Sequence, residues 1–64
     1  MKVRELIALI EAEGWRQVRM SGSHRQFHHP TKQGTVTIAG KLSLDLPPGT
    51  LKSVLEQAGL RKRE

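Results

Sequence analysis

The chain has no cysteine and no tyrosine, and a single tryptophan and a single phenylalanine, in 64 residues. Without cysteine there is no disulfide staple and no thiolate zinc site. A chain this short buries only about 60% of the surface its unfolded form exposes, so its one expected domain, residues 1–64, must rest on well-patterned elements. No apolar run approaches the roughly 18 residues needed to span a bilayer. The opening Met1-Lys2-Val3-Arg4-Glu5 leads into an amphipathic, acid-bearing stretch, unlike a signal peptide. The expectation is a soluble cytoplasmic protein with no membrane partner. Acidic residues are the minority: six Asp and Glu stand against eleven Lys and Arg, for a net charge of +5. That balance favours a polyanionic partner, nucleic acid first.

What is present reads as five elements. Val3, Leu6, Ile7 and Ile10 recur at helical spacing and predict a helix over 2–13, closed by Gly14 and by Trp15 packing back on the last turn. Residues 15–21 follow as a strand. Strict alternation points Val18 and Met20 inward with Arg16, and puts Gln17 and Arg19 on the other face. In a second strand over 23–29, Phe27 shares its face with Arg25 and His29, while His24, Gln26 and His28 take the open face. Residues 30–34 form a turn. A third strand over 35–39 buries Val36 and Ile38. After a loop over 40–49, Thr50 is the expected N-cap or first residue of a helix striped by Leu51, Val54, Leu55 and Ala58 and closed by Gly59-Leu60. A frayed basic tail is expected over 61–64. The order α-β-β-β-α is an α+β fold: a three-stranded antiparallel sheet with both helices on one face, dsRBD-like, the other face left wet.

All three histidines fall in Ser21-Gly22-Ser23-His24-Arg25-Gln26-Phe27-His28-His29-Pro30. A shared metal is disfavoured. His24 and His28 are about 13 Å apart along an extended strand, and His28 and His29 point to opposite faces. The same distance disfavours a two-histidine acid–base pair on one phosphodiester. A one-histidine site survives, because RNA carries its own nucleophile in the 2′-hydroxyl. A single imidazole that takes its proton, with cations nearby, suffices for internal transesterification without a metal or cofactor. His24 follows the small Gly22-Ser23 step and is the candidate base; the residues alone also allow it as a surface histidine on a polar face. His29, beside Phe27 and before Pro30, reads as structural, its ring available to a backbone group in the turn. Arg16, Arg19, Arg25 and Lys41 are the candidate phosphate contacts.

Three groups of residues, in order, resemble the HicA toxins, the mRNA interferase half of HicA/HicB toxin–antitoxin pairs. The first is Glu5-Leu6-Ile7 with Glu13-Gly14-Trp15. The second is Gly22-Ser23-His24 with Phe27 and His29-Pro30, joined by the third-strand segment Gly34 to Ile38. The third is Leu46-Pro47-Pro48-Gly49-Thr50-Leu51, Val54-Leu55 and Gln57-Ala58-Gly59-Leu60. The resemblance implies a dsRBD-like fold, ribosome-independent cleavage of mRNA, a block of translation, and a HicB-type antitoxin covering the active face. It maps the catalytic histidine to His24 and its supporting residues to Gly22 and Ser23. Two departures leave an accessory acid unassigned. The loop over 40–46 lacks the histidine of the shorter version, and position 25 is Arg where a second histidine is frequent. The competing reading is a non-catalytic RNA-binding module of the same fold class, which would have no need of a histidine poised after Gly22-Ser23.

Overall fold

A computed structural model describes residues 1–60; the basic tail over 61–64 lies outside the described residues. The order is α1 (Val3–Ala12), β1 (Arg16–Ser21), β2 (His24–His28), β3 (Val36–Ala39) and α2 (Pro48–Gln57). The strands form one antiparallel sheet in the order β1-β2-β3, so the expected α+β architecture is present.

The core is a single cluster. Val3, Leu6 and Ile10 of α1, Phe27 of β2, Val36 and Ile38 of β3 and Val54 of α2 are buried together with Trp15, Leu46 and Ala58. Both helices therefore contribute to the face of the sheet that carries Phe27. Each large apolar side chain fully buried there contributes roughly 1.5–3 kcal/mol, and a chain this short has few of them.

The helix ends explain how the loops are held. Three of the backbone N–H groups that begin α1 are met. Val3 and Arg4 donate to the carbonyls of Leu44 and Leu42 at 2.9 and 3.1 Å, and Lys2 donates to Glu5 Oε1 at 2.7 Å. The loop after β3 thus does the work of a side-chain cap, and an exposed Lys2–Asp45 ion pair at 3.4 Å adds to it. Both helices close as expected. Trp15 N–H reaches Ile10 O at 3.1 Å and Leu60 N–H reaches Leu55 O at 2.9 Å, the long bonds of two Schellman endings.

Two expectations need correction. The second helix starts at Pro48, not Thr50. Proline at the first helical position lacks only an N–H that would have no partner, and its φ already suits a helix. The second correction concerns β1. A bulge between Gln17 and Arg19 leaves Val18 out of register. Directly opposed residues share a face, so the pairs Arg16–His28, Arg19–Gln26 and Ser21–His24 put those β1 residues on the open face. Gln17 and Met20, opposite Phe27 and Arg25, turn to the helix side. Val18 and Met20 are not core residues: each is 54% exposed. The cause is position. β1 is an edge strand, and all six of its residues are exposed.

Candidate active site

The site is built on the hairpin between β1 and β2. Ser21 and His24 are paired, so Gly22-Ser23 is a two-residue turn. Gly22 has φ +58°, while Ser23 has none of the positive φ that would make it exceptional. That sequence of signs, with glycine first, is the pattern of a type II′ turn, whose twist suits a hairpin. The turn is held from β3 as well, where Gly40 N–H donates to Ser23 O at 3.2 Å. Gly22 and Ser23 thus place His24 as the first residue of β2.

The three histidines sit in three different settings. His29 is fully engaged. Its Nε2 lies 2.9 Å from Glu13 O, and its Nδ1 lies 3.1 Å from the backbone N–H groups of both Thr31 and Lys32. A carbonyl only accepts and a backbone N–H only donates, so this ring carries its hydrogen on Nε2 and a lone pair on Nδ1. The ring also meets Trp15 edge-on, with centroids 5.3 Å apart. His28 is tied to Thr35 Oγ1 at 3.1 Å. His24 is exposed and, among the described residues, has no side-chain hydrogen bond. Of the three imidazoles, His24 is the one with neither ring nitrogen hydrogen-bonded among the described residues.

His24 lines a hollow of about 260 Å³ with Arg19, Ser21 and Gln26. The open face carries Arg16, Arg19, His24 and His28, and none of the three strands contains an acidic residue. Among the described residues, the acids lie instead at Glu5 and Glu11 of α1, at Glu13 just beyond it, at Asp45 in the loop and at Glu56 of α2. An anion approaching the open face of the sheet meets Arg19 at the hollow and no carboxylate from any strand, a setting that favours negative charge.

The four basic candidates separate. Arg19 is at the hollow itself. Arg16 reaches the open face by register, but its guanidinium donates to Glu11 O at 3.2 Å and Trp15 O at 3.0 Å. Arg25 is half-buried on the helix side and donates to Gly40 O at 3.0 Å, so it does not join His24. Lys41 is exposed and follows the residue that holds the Gly22-Ser23 turn. Ser21 was not foreseen at the site, although a two-residue turn ending at His24 places it opposite the histidine. Among the described residues, no three His, Cys, Asp or Glu side chains converge as a metal-binding group.

Fold and site together define a small α+β domain with an acid-free, cationic sheet face and one unengaged histidine at its hollow. The family model described as HicA toxin of bacterial toxin-antitoxin matches residues 3–60. The chain therefore belongs to the HicA toxin family, as the toxin of a toxin–antitoxin pair, and the family implies an antitoxin partner. No curated protein matches the chain at a significant level. Among the described residues, no helix is long and apolar enough to cross a membrane.

Proposed function

We propose that the chain is an endoribonuclease that cleaves mRNA in the cytoplasm and so blocks translation, with His24 as its general base. The supporting observation is that, among the described residues, His24 alone of the three histidines has no side-chain hydrogen bond, and that it lines a hollow with Arg19. The RNA 2′-oxygen attacks the adjacent phosphorus as His24 takes the hydroxyl proton. The P–O5′ bond breaks, and the departing 5′-oxygen takes a proton from water. The products are a 2′,3′-cyclic phosphate and a 5′-hydroxyl. Arg19 stabilises the charge that builds on the phosphorane oxygens. Gly22 and Ser23 hold the ring at the strand start, and Lys41 and Arg16 guide the flanking phosphates. The reaction is written without a metal because the 2′-hydroxyl supplies the nucleophile and the imidazole takes its proton. A HicB-type antitoxin neutralises the toxin by covering this face.

The test is induction of wild type and His24→Ala in a bacterial host, with cleavage of purified RNA measured in parallel. Growth arrest and cleavage are expected only from wild type, and a chelator should leave cleavage intact. Equal arrest by both chains would remove His24 from the mechanism, and activity lost to chelation would call for a metal.

A further inference from the structure

β1 is unusual among the elements. It is a sheet edge, every residue in it is exposed, and Val18 and Met20 are each 54% exposed. An edge strand presents unpaired backbone donors and acceptors, the template on which another chain adds a strand. Two apolar side chains along that template supply the anchors that give such additions specificity. β1 also adjoins the candidate site, since its Arg19 and Ser21 line the hollow with His24. Anything laid along β1 from Arg19 to Ser21 would crowd the hollow's mouth.

Charge decides the occupant. β1 carries Arg16 and Arg19 and no acid. Pairing β1 with β1 of a second copy would set these arginines against each other. A strand with acidic residues among apolar ones has the opposite sign and the same need for cover. The family supplies a protein partner, the antitoxin. We infer that β1 is a docking edge for an extended, acidic and apolar segment of that antitoxin. The segment adds as a fourth strand, covers Val18 and Met20, and closes the hollow at Arg19. This deepens the antitoxin part of the proposed function and needs only the toxin–antitoxin pairing, not the nuclease reading.

The test uses the full chain with the protein encoded by the reading frame that adjoins its gene, the two titrated by calorimetry. The double variant V18E/M20E removes both anchors and adds like charge. It should bind about 100-fold more weakly, the loss expected for two buried apolar side chains. Leu9→Glu changes an exposed leucine on α1 and should bind within twofold of wild type. Unchanged binding by V18E/M20E, or equal loss from Leu9→Glu, would overturn the proposal. Hydrogen exchange of the wild-type complex gives a reading free of folding defects. Amides of β1 should be slowed, and unslowed β1 amides would rule out strand addition. A concentration-dependent wild-type dimer that V18E/M20E abolishes would assign the edge to a second copy instead. A chain that binds its partner normally but cuts no RNA would sink the nuclease reading and leave this one standing.

Discussion

His29 and His24 show how differently one residue type is used within six positions. His29 joins the end of α1 to the turn after β2 through three backbone groups and packs on Trp15. Replacing it with alanine strands Glu13 O and two N–H groups. Those groups are exposed and water takes them up in part, so His29→Ala should destabilise the fold by about 0.5–1.5 kcal/mol in thermal or urea melts. His24→Ala should melt within about 0.5 kcal/mol of wild type, as exposed changes do, while losing cleavage. A large loss of stability from His24→Ala would reassign it to structure. The two glycines divide in the same way. Gly14 has φ +102°, and a Cβ there would lie 2.7 Å from His29 Nε2, so Gly14→Ala meets both backbone strain and a clash with the ring. Gly22 has φ +58° but open space around it, so Gly22→Ala meets only the left-handed penalty of about 1–2 kcal/mol. Melting of the two variants should rank Gly14→Ala as the more damaging, and the reverse order would mean that the His29 contact does not constrain this corner.

Among the elements, β1 and β3 differ most in what they contribute to stability. Both lie at edges of the sheet, yet β3 buries Val36 and Ile38 under the helices while β1 buries nothing. Val36→Ala should therefore cost about 2 kcal/mol, and Val18→Ala under about 0.5 kcal/mol, by chemical denaturation. Comparable losses would show that β1 is packed in solution. Both helix C-termini converge near the His29 turn. Ala58 O at the end of α2 accepts Trp15 Nε1–H at 3.3 Å and the Lys32 ammonium at 3.0 Å. Cations and N–H donors at these ends also complement the helix dipoles.

At the scale of the whole molecule, charge segregation is the main feature. The strands hold no acid, and the described acids lie on or beside the helices and in the loop. RNA binding should weaken steeply with salt, with log K falling by about 0.7 per phosphate contact for a single strand. Arg19→Ala should reduce that slope by about one contact, whereas Arg25→Ala should leave it unchanged because its guanidinium is committed to Gly40 O on the helix side. Filter binding across a salt series measures both. An equal effect from Arg25→Ala would place RNA on the helix side of the sheet.

Much of this was legible without coordinates. Helical spacing in α1, the two glycine-closed helix ends and the alternation of Val36 and Ile38 needed only periodicity, because each depends on neighbours a few residues away. His24 on the open face and Phe27 in the core followed from a period of two, which β2 keeps without interruption. Tertiary structure decided the rest. A bulge is one residue that declines its partner, and nothing in Arg16-Gln17-Val18-Arg19 marks it, so Arg16 and Gln17 exchanged faces. Exposure of Val18 and Met20 depended on which strands the helices reach, a long-range outcome of packing. The start of α2 at Pro48 depended on proline being welcome at a first turn. The histidines separated only once Glu13, Thr31, Lys32 and Thr35 came within hydrogen-bonding reach. Alternation could put His24 on the open face, but only those contacts show that His28 and His29 are engaged and that His24 is not.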